Sequence, residues 1–258
     1  MTAGCHRFEH GAYCDATEAE AARFLESVAT VEPATRVPTC PDWSVADLID
    51  HLGTVHRWAG NMIAVLAPER IPSARMDLEQ PDDYADRPVW FRAGAARLLD
   101  ALRAGDPDAA MWGWGSDKHL RFWSRRMLHE TTVHRADADI TAGREPEIHA
   151  PVAVDGIDEF LDNLPHAAYW APKVQELRGD GETIALRATD AGVTWGIRLE
   201  PAGFAWDHAA AGAGVTIDGS APDLLLLLWG RMALDDASRF EIAGDRGLVD
   251  FWRERSAI

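Results

Sequence analysis

Apolar positions in the first half of the chain recur at helical spacing. In residues 17–28 (TEAEAARFLESV), Ala21, Phe24, Leu25 and Val28 share one face, which predicts an amphipathic helix. A loop with Pro33 and Pro38 follows, ending in Cys40-Pro41-Asp42-Trp43. Ser44 then reads as the N-cap of a second helix, with Asp47 as its capping-box partner. Val45, Leu48, Leu52, Val55, Ala59, Met62 and Ile63 form its apolar stripe, to about residue 66. Residues 68–88 are a polar, proline-rich connection long enough to predict a functional loop or lid. A third helix is expected over 89–103 and a fourth over 120–140, separated by a tract holding Trp112-Gly113-Trp114-Gly115. Four helices with mixed short and long connections predict a four-helix bundle.

The pattern changes over 141–151 (TAGREPEIHAP), the best linker in the chain. Beyond it, 157–164 reads as helix. Residues 183–189 and 193–200 alternate apolar and polar residues around Asp190-Ala191-Gly192, a strand pair with a turn. A short strand is expected at 215–218, an apolar helix at 223–234, a strand at 239–243 and a closing helix at 248–255. The expected organisation is an all-α bundle over 1–145 and a small α+β domain over 152–258.

Composition sharpens this. The 258 residues are 47% hydrophobic and 26% charged, which excludes a largely disordered chain. The formal charge is −17 and both halves are acidic, so nucleic acid and anionic lipid are poor partners. No stretch approaches the roughly 20 apolar residues of a membrane span, and the N-terminus lacks a signal-peptide core. A cytoplasmic protein is expected. Three cysteines (Cys5, Cys14, Cys40) form no CxxC and argue against a disulfide scaffold.

The chemistry concentrates in residues 122–137. Glu130 and His134 are four apart on the fourth predicted helix, about 40° apart around its axis. A carboxylate and an imidazole so stacked can share a divalent ion, or can be solvated neighbours on a helix surface. His51, between Leu48 and Leu52 on the second helix, is the best third ligand. Two histidines and one carboxylate leave a coordination position open, the pattern of catalytic sites. His56 lies about 140° round from His51, which argues against both binding one ion. Asp47 and Asp137 could orient the ligands, or be surface charges. A rival zinc set is Cys5, His6, His10 and Cys14, although its spacing matches no finger. Lys118, Arg121, Arg125, Arg126 and Arg135 stand against Asp117 and Glu130, a local basic excess that would attract an anionic ligand. Each could instead pair with acids of neighbouring helices. Trp112, Trp114 and Trp123 are expected mostly in the core, where one of them could wall a pocket. The chain has no Gly-rich phosphate loop, G-x-S-x-G elbow or dinucleotide fingerprint.

Four segments carry a resemblance. Val37-Pro-Thr-Cys-Pro-Asp-Trp-Ser-Val-Ala-Asp-Leu-Ile-Asp-His-Leu-Gly53 resembles the N-terminal signature of the mycothiol-dependent maleylpyruvate isomerase family. Residues 122–137, with Arg-Met-x-His-Glu-x-x-x-His-Arg-x-Asp, resemble its second signature. Residues 223–231 (DLLLLLWGR) and Ala243-Gly244-Asp245 are similar to its C-terminal domain.

The resemblance implies a DinB-like four-helix bundle followed by a sterol-carrier-like α+β domain. It implies that His51, Glu130 and His134 bind zinc, or another divalent metal, and that Arg231 acts near the active site. It also implies mycothiol, the thiol of certain bacteria that lack glutathione, as cosubstrate. The small-molecule partner would be an electrophile, expected to be anionic. A thiolate adds to it; in an isomerase of the maleylpyruvate type the thiolate later leaves, whereas in an S-transferase the adduct is the product. A non-catalytic metal-binding or regulatory module and a metal-assisted hydrolase are the alternatives.

Overall fold

The structure is a computed structural model, described for residues 7–210 and 212–258. The chain divides into two compact units, one of Phe8–Glu147 and one of Ile148–Ile258 together with Arg7.

The first unit is a bundle of α1 (His10–Val28), α2 (Val45–Ala64), α3 (Arg87–Ala104) and α4 (Leu120–Thr141). A two-stranded antiparallel hairpin, β1 (Arg36–Val37) and β2 (Cys40–Ser44), leads into α2. Apolar faces meet in a core that includes Phe24, Leu48, Leu52, Phe91, Leu98 and Trp123, all fully buried. Each such side chain contributes roughly 1.5–3 kcal/mol when removed from water. Close packing depends on Gly53: a Cβ there would lie 2.1 Å from the Trp90 ring. Replacing Gly53 would therefore push α2 and α3 apart.

Two expectations change here. Helix α1 starts at His10, seven residues before the predicted start, because Tyr13 and Cys14 extend the buried face. The segment Cys40-Pro41-Asp42-Trp43, read as loop, forms most of β2, its short ladder stabilised by Arg36 Nη1 donating to the Pro41 carbonyl at 2.8 Å. The connection 68–88 contains only two short 3-10 turns. It is held to the bundle by indole N–H bonds, Trp58 to Ile71 O at 2.7 Å and Trp90 to Leu78 O at 2.8 Å. Glu79 bridges Arg57 and Arg97, at 2.7 Å each.

The second unit comprises α5 (Ala150–Asn163), β3 (Thr183–Ala188), β4 (Val193–Glu200), β5 (Gly203–Asp207), β6 (Val215–Gly219), α6 (Ala221–Leu228), β7 (Glu241–Gly244) and α7 (Arg246–Ser256). The sheet runs β5-β4-β3-β6-β7, with β3 and β6 parallel and the other pairs antiparallel. Strand β5 lies just beyond a turn containing Pro201, which hid it in the sequence. Helix α5 begins earlier than expected, at Ala150. Helix α6 ends at Leu228 rather than near 234. Gly230 takes φ +72°, and the Arg231 and Gly230 amides cap the Leu226 and Leu227 carbonyls at 2.7 and 3.0 Å. Among the described residues, no helix is long and apolar enough to cross a membrane.

Candidate metal centre

The entry to α2 positions the first candidate ligand, His51. The Ser44 side chain accepts from the Asp47 amide, and the Asp47 carboxylate accepts from the Ser44 amide at 2.8 Å. These bonds hold the Asp47 carboxyl below its ordinary value. Asp47 thus caps the helix, and no hydrogen bond links it to His51, contrary to the orienting role considered for it. About one turn further on, His51 is partly exposed.

Helix α4 supplies the rest. It is buried almost throughout, yet carries Arg126, Thr131, Thr132, His134, Arg135, Asp137 and Asp139 as buried polar residues. Buried polar groups persist where they find partners. His51 Nε2 lies 3.1 Å and His134 Nε2 3.5 Å from the same atom, Glu130 Oε1. Ligand atoms of His51, Glu130 and His134 all lie within 4.8 Å of one another. Arg126 Nη2 donates to the other Glu130 oxygen at 3.2 Å. His134 Nδ1 faces Asp137 Oδ2 at 2.8 Å.

This arrangement tunes both charges. Burial would raise the Glu130 carboxyl, but the His134 and His51 hydrogen bonds and the Arg126 charge outweigh it and hold the carboxyl well below its ordinary value. Burial disfavours the charged His134 ring, but Asp137 and Glu130 outweigh burial and raise its pKa to about 9.

Trp43, at the end of β2, is a neighbour that sequence reasoning missed. Its ring centroid lies 4.6 Å from that of His51 and 5.7 Å from that of His134. The available signal was its position just before the α2 cap. The three tryptophans singled out from sequence pack elsewhere: Trp123 is fully buried, with Trp112 and Trp58 against it, and Trp114 lies edge-on to Phe122. His56 is separate from the triad, bonding Thr131 Oγ1 at 2.9 Å.

The expected basic patch is largely neutralised. Arg135 is fully buried and binds Glu20 at 2.6 Å and Asp139 at 2.5 Å. Arg121 pairs with Asp117 and Asp108. The Lys118 ammonium donates to the Gly113 and Gly115 carbonyls at 2.5 and 2.6 Å. Arg126 is placed on the triad itself. Of the rival zinc set, Cys5 and His6 lie outside the described residues. His10 bonds Leu102 O at 2.8 Å and Ser124 Oγ at 3.1 Å, and burial raises the Cys14 thiol. Arg231 lies just beyond α6, its Nη1 donating to Trp229 O at 2.5 Å.

The donor set suits a divalent ion such as zinc. Two imidazole nitrogens and a carboxylate oxygen converge from two helices, with one imidazole backed by a carboxylate on its far nitrogen.

A helical bundle carrying a two-histidine, one-carboxylate cluster, followed by a mixed-sheet domain, defines a class of two-domain proteins with a DinB-like N-terminal bundle. Residues 14–139 match the model of the mycothiol maleylpyruvate isomerase N-terminal domain. Residues 151–251 match the model of that family's C-terminal domain. The chain belongs to the mycothiol-dependent maleylpyruvate isomerase family, a family of enzymes. A crystal structure of the mycothiol-dependent maleylpyruvate isomerase superposes with TM-score 0.55 at 14% identity, covering 92% of this chain and 93% of that one. A histidine-to-alanine mutant of that enzyme gives TM-score 0.58 at 14% identity, with the same coverage. At that identity the likeness establishes the fold. No curated protein matches the chain.

Proposed function

We propose that this protein is a mycothiol-dependent isomerase or S-transferase that uses a divalent metal, most simply zinc, held by His51, Glu130 and His134. The observation that carries this reading is the convergence of His51 Nε2 and His134 Nε2 on Glu130 Oε1, in a chain whose family is named for a thiol-dependent reaction. The ion supplies Lewis acidity that favours the thiolate form of a bound thiol at neutral pH.

The chain's own residues do the rest. His51 Nε2 and His134 Nε2 would hold the ion in place of the second proton that the His134 ring carries at neutral pH without it, and Glu130 would offer a negative charge that offsets the ion's. Arg126 keeps the second Glu130 oxygen occupied, so the carboxylate presents one oxygen to the site. The Trp43 ring packs at a tilt beside both imidazoles and helps to fix their orientation. Cys40 is not assigned as the nucleophile, because its thiol donates to Asp137. Membership of the family is the ground for assigning the sulfur to mycothiol, and we assign the electrophile to a small molecule that carries a carboxylate. Arg231 is the residue we assign to a substrate carboxylate, for which a guanidinium fork is suited.

The test is metal analysis of the purified protein, followed by assay with maleylpyruvate. The expected result is one zinc per chain and isomerisation only when both zinc and mycothiol are present. Glu130→Ala and His134→Ala should abolish both. Turnover without any thiol, or full activity in metal-free protein, would overturn the reading.

A further inference from the structure

Asp137 is fully buried, so its oxygens need partners. Oδ2 accepts from His134 Nδ1 at 2.8 Å and from the Cys40 thiol at 3.6 Å. Oδ1 accepts from the Thr39 hydroxyl at 2.5 Å. Thr39 comes from the turn of the β1–β2 hairpin and Cys40 from the first position of β2; the register is Arg36↔Ser44 and Val37↔Cys40. The same strand delivers Trp43 to the faces of His51 and His134, and ends at Ser44, which caps α2. One short hairpin therefore engages both ligand-bearing helices.

We propose that Asp137, clamped by Thr39, is a positioning residue that keeps the proton of His134 on Nδ1 and leaves Nε2 to ligate the metal. The inference rests on the metal reading above. An imidazole has two neutral tautomers, and only one exposes Nε2 as a donor to an ion. A carboxylate on Nδ1 selects that tautomer and fixes the ring plane. A carboxylate held at one oxygen alone can swing about its χ2 bond. The Thr39 hydroxyl on Oδ1 removes that freedom and keeps Oδ2 in line with Nδ1. The Thr39 hydroxyl is bonded to Asp137 Oδ1, which is its link to His134.

The experiment is zinc affinity by chelator competition, combined with NMR of the His134 Nδ1–H proton in the zinc-loaded chain. Asp137→Asn should weaken zinc binding by about 10–100-fold at unchanged stoichiometry and remove the downfield Nδ1–H resonance. Thr39→Val should weaken binding several-fold and shift that resonance, and Thr39→Ser should restore both. If Asp137→Asn fails to fold, the two Thr39 variants decide. Wild-type affinity and an unmoved resonance in Thr39→Val would overturn the proposal while leaving the metal reading intact. So would a lower melting temperature of the metal-free chain as the only change. A wild-type chain that binds no zinc would overturn the metal reading, and this inference with it.

Discussion

Glu130 Oε1 lies 3.1 Å from His51 Nε2, although 79 residues separate the two in sequence. The contact joins α2 to α4, and it leaves one carboxylate facing two imidazoles and a guanidinium. Glu130→Gln keeps the shape and removes the charge. It should abolish stoichiometric zinc binding and, by removing the Arg126–Glu130 ion pair, destabilise the metal-free chain by about 1–3 kcal/mol. Denaturant unfolding and metal analysis on one preparation read both effects.

His56 provides a pH signature apart from the metal. Burial lowers its pKa from 6.5 to about 4, and the ring bonds Thr131 Oγ1. Because the Thr131 hydroxyl donates to Met127 O, His56 Nε2 must be the donor to Thr131. The unfolded chain takes up this proton first, so the stability contribution is full above pH 6.5. It is lost as pH falls to about 4, amounting to at most about 3 kcal/mol. His56→Gln should flatten that part of the stability curve. Parallel curves for wild type and variant between pH 6.5 and 4 would contradict it.

Arg135 belongs to the bundle rather than to a ligand-attracting patch. Its guanidinium is fully buried between Glu20 and Asp139 and also donates to Glu147 O at 2.9 Å. Arg135→Met should cost about 3–5 kcal/mol, because two buried carboxylates lose their cation. Arg121→Ala, at a part-exposed pair, should cost about 1 kcal/mol or less. Urea unfolding of both variants separates the roles, and similar costs would contradict the assignment.

Trp43 should report metal arrival. A paramagnetic ion such as Co2+ at the triad should quench its fluorescence, with an end point at one equivalent. In Trp43→Phe most of that quenching should vanish, whereas quenching unchanged in amplitude would place the ion elsewhere.

The four helices and most strands were legible from periodicity, and the three residues that converge were legible from the i,i+4 spacing of Glu130 and His134 and from the place of His51 beside the α2 apolar stripe. The capping box at Ser44 was readable for the same reason: it is local. What sequence could not give was the partner of each charge. Arg135 and Arg126 are nine positions apart on one helix, yet one pairs with α1 and the other with the site. Asp47 and Asp137 looked equivalent as neighbours of histidines, but a local cap claimed Asp47. The β1–β2 hairpin was hidden because Pro38 and Pro41 flank its turn and its ladder is very short. With it were hidden Trp43 beside the imidazoles and Thr39 on Asp137. The end of α6 at Leu228 was lost because apolar residues resume at 232–234, beyond Gly230 and Arg231.

X-ray absorption on the zinc-loaded chain tests the central claim most directly. The account predicts one zinc per chain with nitrogen and oxygen neighbours at about 2.0–2.1 Å, outer-shell scattering from two imidazole rings, and no sulfur in the absence of added thiol. A first shell containing sulfur at about 2.3 Å would place the ion on the cysteines instead and contradict it.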